Sequence, residues 1–96
     1  MSICAAINGR KLLRLHYDGG WRLVEPHAYG HNNNTGHDLL RAYQVSGSSH
    51  SFQFVGWKLF RHDEMRSVQV LEDHFSGPRP GYTRGDKALD RIYCEL

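Results

Sequence analysis

The stretch LLRLHYDGGWRLVEP, at residues 12–26, decides the fold. Apolar residues alternate with polar ones through 13–17, a pattern typical of a half-buried strand. Residues 18–20, Asp-Gly-Gly, follow, and glycine reaches the positive φ of a tight hairpin turn without a steric clash. Residues 21–25 return antiparallel, and Pro26 fits only the end or the edge of a strand, because it lacks an amide hydrogen. The stretch therefore predicts a β-hairpin.

Three further stretches alternate in the same way: 38–45, 52–60 and 67–71. The polar segments 30–36 and 46–51 lie between the strands and predict turns. The alternation changes side at Val55-Gly56, which predicts a bulge or a bend. About five strands with short turns favour a small mainly β barrel over a sandwich. Within 38–45 the alternation defines two faces, one with Leu40, Ala42 and Gln44, the other with Leu39, Arg41, Tyr43 and Val45.

The two ends of the chain differ from this pattern. Residues 3–7 predict a short helix that Ser2 caps and Asn8-Gly9 ends. The sequence GPRPG at 77–81 interrupts regular structure. Beyond it, two interpretations stay open: a helix capped by Asp86, or a final strand at 92–96. We expect residues 81–86 to pack across the barrel or to exchange with a second copy, since an open sheet gains by covering its edges.

Composition is that of an ordinary globular domain, with 40% hydrophobic and 23% charged residues in a chain of 96. No apolar run approaches the roughly 20 residues needed to cross a bilayer, and no secretory signal is evident. We therefore expect a cytoplasmic protein without membrane contact. The net charge of +2 permits an anionic partner without demanding one. Cys4 and Cys94 lie near opposite ends and a bridge is feasible, but two lone cysteines in the cytosol are more often reduced, and we expect that here.

The order of several motifs resembles the WYL family, from about Ile3 to Phe75. The family shows a strand that ends in tyrosine, an arginine-containing strand leading into V-E-P, a W-Y-L-V-A-Y strand and an F-R-L-D-R-I segment. Two positions depart from this pattern: Asp38-Leu39 replaces the Trp-Tyr pair, and Glu64 replaces the second arginine. The matching residues are Tyr17, Arg22, Val24, Glu25, Pro26, Leu40, Ala42, Tyr43, Phe60, Arg61, His62 and Asp63.

The resemblance implies an SH3-like, Sm-like barrel at residues 1–76, with 77–96 as a C-terminal extension packed on the same domain. It also implies a regulatory module that senses single-stranded nucleic acid or a nucleotide-like anion, usually within a transcriptional regulator. No helix-turn-helix precedes the barrel in this sequence, so the expected protein partner is one that carries a DNA-binding domain. We also expect a homodimer, because tryptophan is enriched at interfaces.

Six residues are the candidate ligand contacts. Guanidinium and ammonium groups match phosphate oxygens, an exposed tyrosine can stack on a base, and the histidine directly after V-E-P is placed to reach a pocket. The alternative is that these are solvated residues of an outer face, with the tyrosines at the edge of the core. The six are Arg22, His27, Arg41, Tyr43, Lys58 and Arg61.

Other chemistries are disfavoured. His31 and His37 flank an Asn-rich loop without the paired short spacing of zinc motifs, so we expect surface histidines and no metal or other cofactor. Ser48, Ser49 and His50 lie in a turn, which requires small polar residues anyway, and no glycine-rich phosphate loop is present, so we do not expect an enzyme. Trp21 and Trp57 are expected in the core. The alternative function is an accessory subunit whose Trp and Phe surface docks on a partner protein.

Overall fold

The fold is mainly β, as the sequence predicts, and the computed structural model describes residues 3–49 and 51–96. The sheet has the strand order β4-β3-β2-β1-β5, and the sixth strand pairs with the far half of β2; all pairs are antiparallel. The sheet is open, since its end strands β4 and β5 do not pair with each other in the described part of the chain. The elements are α1 (Ile3–Asn8), β1 (Lys11–Tyr17), β2 (Gly20–Asn32), β3 (His37–Gly47), β4 (Gly56–Arg61), a 3-10 turn (His62–Glu64), β5 (Arg66–His74) and β6 (Arg91–Glu95).

The predicted hairpin of β1 and β2 is confirmed. Tyr17 pairs with Gly20 across the turn, where Asp18 and Gly19 adopt positive φ angles of 49° and 84°. Leu13 and Leu15 are fully buried, as the alternation predicts. The helix α1 is also confirmed, although its predicted cap, Ser2, lies outside the described residues.

The prediction that β2 ends near Pro26 is wrong, because the strand continues to Asn32. Val24 is the last residue of β2 that pairs with β1, and Ala28 is the first residue of β2 that pairs with β6. Pro26 lies in the gap between them, where β2 has only β3 beside it, so the missing amide hydrogen breaks no ladder bond on the β1 side. A register shift between Pro26 and Ala28 bends the strand here.

The C-terminal alternatives are resolved in favour of the strand. β6 pairs with the far half of β2, and the amide of Leu96 donates to the carbonyl of His27 at 2.9 Å. The other alternative, a helix capped by Asp86, does not form. The Asp86 carboxylate accepts a bond from the amide of Ala88 at 3.0 Å, a local turn rather than a helix cap.

The predicted strand at 52–60 is correct only from Gly56 onward. Phe52 and Phe54 are 81% and 50% exposed, and the bend at Val55-Gly56 is confirmed by a φ of 138° at Gly56. In this segment, the backbone carbonyl of Phe54 accepts a hydrogen bond from the side-chain amide of Gln44 instead of a backbone bond from a neighbouring strand.

The main core lies between α1 and the inner face of the sheet. Its members are apolar and nearly inaccessible to solvent: Ile3, Ala6, Ile7, Leu13, Leu15, Val24, Leu40, Ala42, Phe60 and Met65. A second, smaller cluster of Ala28, Leu39 and Leu89 attaches the C-terminal segment to the outer face. Neither Trp21 nor Trp57 belongs to these clusters, so the expectation that both tryptophans lie in the core is wrong. Trp21 is 41% exposed, with the Arg14 guanidinium 3.9 Å above its ring.

Cys4 and Cys94 form a disulfide that joins α1 to β6, with 5.6 Å between their Cα atoms. The expectation of two reduced cysteines is therefore wrong. The two ends of the chain meet because α1 packs against β6, the final strand. Disulfides persist mainly in oxidising compartments, so the bridge counts against the cytoplasmic location, which stays a prediction. No helix within 3–49 and 51–96 has the length and apolar character needed to cross a bilayer.

Candidate functional site: an outer aromatic groove

Strand parity divides four of the six predicted contact residues between the two faces of the sheet. On β3 and β4, Arg41 lies opposite Leu59 and Tyr43 opposite Trp57, and these four side chains share the outer face. Lys58 lies opposite the buried Ala42, on the inner face. Arg22 is opposite the buried Leu15 and shares that inner face.

Arg61, at the end of β4, is separated from both groups by its own partners. Its guanidinium donates to both oxygens of Asp63, at 3.2 and 2.9 Å, and lies 3.7 Å from Glu64. Two carboxylates thus balance this single cation. Glu64 stands where the resembled family has an arginine, and here it is a partner of Arg61.

A groove of about 600 Å³ opens on the outer face, and we call it the outer groove. Trp57 and Tyr82 form its aromatic part, with ring centroids 6.1 Å apart and planes inclined by 26°. Gly81 lies against Trp57, and a Cβ there would lie only 3.2 Å from the indole nitrogen, at a φ of 93° that favours glycine. The groove is lined by Arg41, Trp57, Gly81, Tyr82, Thr83, Gly85, Asp86 and Lys87.

Arg41 and Asp86 form a bidentate ion pair beside the groove, at 2.7 and 3.3 Å. Burial alone would raise the pKa of Asp86, but the bonds from Arg41 and from the amide of Ala88 outweigh it and hold that pKa below its usual value. The Asp86 carboxylate is therefore ionised at neutral pH, and it accepts hydrogen bonds from two nitrogens of the Arg41 guanidinium. This pair fixes the C-terminal segment on the sheet.

A second bidentate pair closes the neighbouring part of the outer face. Arg79 donates to both oxygens of Glu25, at 2.7 and 3.1 Å, and Glu25 is only 6% exposed. The hydrogen bond to Glu25 raises the pKa of Arg79. The Arg79 guanidinium also lies 4.5 Å from the centre of the Tyr43 ring, and the Trp57 ring contacts Tyr43 edge-on. Arg79 and Trp57 therefore cover Tyr43, the ring that was predicted to stack on a base.

His27 lies behind the outer groove, fully buried among aromatic rings. Its ring centroid is 4.6 Å from that of Trp57 and 5.1 Å from that of Tyr82. Nδ1 is 2.8 Å from the carbonyl of Glu25, and Nε2 is 3.1 Å from the amide nitrogen of Arg79. A carbonyl can only accept and an amide can only donate, so the neutral tautomer carries its proton on Nδ1. Burial lowers the pKa of His27, which supports the aromatic walls as a neutral ring.

Among the described residues, His31 and His37 lie away from the outer groove. His31 pairs with Asp38 at 2.8 Å, and that bond lowers the pKa of Asp38. Among the described residues, no group of three or more histidines, cysteines or carboxylates is arranged to hold a metal ion.

The sequence analysis predicted that residues 81–86 pack across the sheet, but four residues of the outer face were not among its candidate ligand contacts: Arg79, Tyr82, Asp86 and Lys87. All four lie in the Gly- and Pro-rich C-terminal segment, where no periodicity indicates which residues face the sheet. The one usable signal is its composition, because an aromatic residue and several charges among glycines are unusual for a plain linker.

No family model, curated protein or solved structure matches this chain.

Proposed function

We propose that the protein is a ligand-sensing module that binds a nucleotide-like molecule in the outer groove. The observation that carries the proposal is the pairing of two aromatic rings, Trp57 and Tyr82, with an ionised Arg–Asp pair in one open concavity. A heterocyclic base can stack on such rings. The Asp86 carboxylate can accept a bond from a ribose hydroxyl or an exocyclic amine, and Lys87 at the rim can contact a phosphate.

The strand order supports the kind of module that the WYL resemblance implies. Five strands in the order β4-β3-β2-β1-β5, with a 3-10 turn between β4 and β5, are consistent with an SH3-like, Sm-like relationship. The sensing of a ligand, the homodimer and a partner with a DNA-binding domain remain proposals on this basis.

The test uses Trp57 as an intrinsic reporter. Trp21 is replaced by phenylalanine to remove the other tryptophan signal, and the protein is titrated with adenosine, adenosine monophosphate and a single-stranded oligonucleotide. We expect saturable quenching by ligands that carry a base. Lys87→Met should weaken adenosine monophosphate binding by about three- to tenfold and leave adenosine unchanged, because only the phosphate contact is lost.

The matched control is Lys11→Met, on β1, whose amine lies 3.8 Å from the exposed Glu72. It should leave both affinities unchanged. Absence of saturable quenching by every base-carrying ligand, or equal effects of the two lysine variants, would overturn the proposal. In that case, recovery of one stoichiometric protein partner would favour an accessory subunit instead.

A further inference from the structure

The inner face carries a second group of cations that the outer groove does not use. Arg22 of β2 and Lys58 of β4 point to the same side of the sheet, with Gln44 of β3 between their strands. Arg22 is 4% exposed and Gln44 is fully buried. We call Arg22 and Lys58 the inner cation pair.

Arg22 is held only by neutral acceptors. Its guanidinium donates to the Gln44 side-chain oxygen and to the Tyr17 carbonyl, each at 3.3 Å. Its Nε atom is buried and has no hydrogen-bond partner among the described residues. The rings of Tyr17 and Phe60 lie 5.6 and 5.7 Å from the guanidinium carbon, so part of the charge is stabilised by aromatic faces.

Lys58 has the same kind of surroundings. Its amine donates to the Ser49 hydroxyl at 2.9 Å and to the Gln53 carbonyl at 2.6 Å. In the described part of the chain, no carboxylate forms an ion pair with Lys58 or Arg22, whereas at least one carboxylate pairs with each of Arg41, Arg61, Arg79 and Arg84.

Two neighbouring cations destabilise each other. Burial, and then the charge of Arg22, lowers the pKa of Lys58. Burial also lowers the pKa of Arg22, and Asp18 only partly opposes that effect. Buried charges are normally paired, so a buried arginine beside a half-buried lysine, with no ion-paired carboxylate among the described residues, favours the binding of an anion.

We propose that Arg22 and Lys58 form a second ligand site, distinct from the outer groove, that takes a phosphate-type oxoanion. The partly exposed amine of Lys58 is the point of entry, where an oxoanion oxygen replaces the neutral Gln53 carbonyl as acceptor. A bond from the Lys58 ammonium to an anionic oxygen is stronger than its bond to the neutral Gln53 carbonyl, because both partners are then charged. The guanidinium of Arg22 behind Lys58 supplies the second positive charge.

The test is a thermal melt in inorganic pyrophosphate, compared with chloride at the same ionic strength. A ligand that binds only the folded state raises the melting temperature, whereas screening acts equally in both salts. We expect pyrophosphate to stabilise the wild-type protein, Lys58→Met to weaken the apparent affinity about tenfold or more, and Lys11→Met to leave it unchanged. The same melts with sodium acetate should show little stabilisation, which separates an oxoanion site from general carboxylate binding.

Two further variants and a competition experiment distinguish this site from the outer groove. Lys87→Met, at the groove rim, should not change pyrophosphate affinity, and adenosine should not compete with pyrophosphate. Lys58→Arg retains the charge and should retain binding, so it shows whether a loss in Lys58→Met comes from charge or from damage to the fold. Equal stabilisation by pyrophosphate and chloride, or equal losses in Lys58→Met and Lys11→Met, would overturn the proposal.

Discussion

The outer groove and the inner cation pair lie on opposite faces of one sheet and share strand β4, yet their charges are balanced in different ways. On the outer face, Arg41 contacts Asp86 at 2.7 Å. On the inner face, Arg22 and Lys58 contact only neutral oxygens among the described residues. The outer groove has aromatic walls and a neutralised ion pair, so it favours a ligand with a flat, weakly charged ring. The inner cation pair has an excess of positive charge, so it favours an anionic ligand. The two faces of one small sheet therefore present different ligand chemistries.

The largest expected effect concerns the C-terminal segment that builds the outer groove. The Cys4–Cys94 bridge spans 90 residues, so its removal frees a large loop in the unfolded chain. The double variant Cys4→Ser, Cys94→Ser should lose about 4–5 kcal/mol of unfolding free energy, measured by urea denaturation.

Reductant should destabilise the wild-type protein similarly and leave the double variant unchanged. Hydrogen exchange should speed up first in residues 79–96, before the strands that carry the inner cation pair. A loss of less than about 1 kcal/mol would show that the bridge does not stabilise the fold.

The ion pair of Arg79 with buried Glu25 is the next strongest stabiliser of the outer face. Arg79→Met leaves a carboxylate that is 6% exposed without its partner, and should cost about 2–3 kcal/mol in urea denaturation. The matched control, Arg84→Met, breaks a pair whose arginine side chain is 72% exposed, and should cost less than about 1 kcal/mol. Equal costs for the two variants would contradict the buried role of Glu25.

The neutral state of His27 gives the outer face a pH dependence. Burial lowers its pKa below 6.5 in the folded protein, so the unfolded chain binds the proton more tightly. The contribution of neutral His27 to the free energy of unfolding is therefore fully present above roughly pH 6.5. As the pH falls below that value, this free energy decreases by up to about 1.4 kcal/mol per pH unit.

Unfolding measured between about pH 7 and 5 should reveal this slope, and His27→Gln should flatten it. Glu25, Arg79 and Tyr82 face His27 and remain in the variant. An unchanged slope in His27→Gln would assign the pH dependence to other groups.

The smallest effect on stability is expected at the inner cation pair. Lys58→Met removes two hydrogen bonds to neutral acceptors but also the repulsion from Arg22, so the unfolding free energy should change by less than about 1 kcal/mol. Lys11→Met provides the reference. A loss above about 2 kcal/mol would make Lys58 a structural residue and remove the contrast with the outer face.

Local patterns predict the parts of the fold that depend on neighbouring residues. The hairpin of β1 and β2 follows from alternation around Asp-Gly-Gly, and the alternation of β3 correctly assigns Gln44 to the buried face and Arg41 to the other. The same parity argument, applied to Lys58 beside Phe60, already separates Lys58 from Arg41, so the division of the predicted site could have been found from sequence.

Long-range partners could not be predicted in this way. Asp86 is 45 residues from Arg41, and Arg79 is 54 residues from Glu25. Glycines and prolines around Arg79 erase the periodicity that would show which side chains face the sheet. Phe52 and Phe54 alternate like a strand, but the Phe54 carbonyl is bonded by the Gln44 side chain, an interaction that no local pattern reveals.

The most direct measurement follows the side-chain Nε–H signals of Arg22 and Arg41 by nuclear magnetic resonance in isotope-labelled wild-type protein. Arg22→Lys and Arg41→Lys assign the two signals. The buried Arg22 Nε has no partner among the described residues, whereas the Arg41 Nε is bonded to Asp86. We expect pyrophosphate to shift the Arg22 signal and not that of Arg41, and adenosine to do the reverse. Movement of both signals with either ligand, or of Arg41 alone with pyrophosphate, would contradict two separate sites.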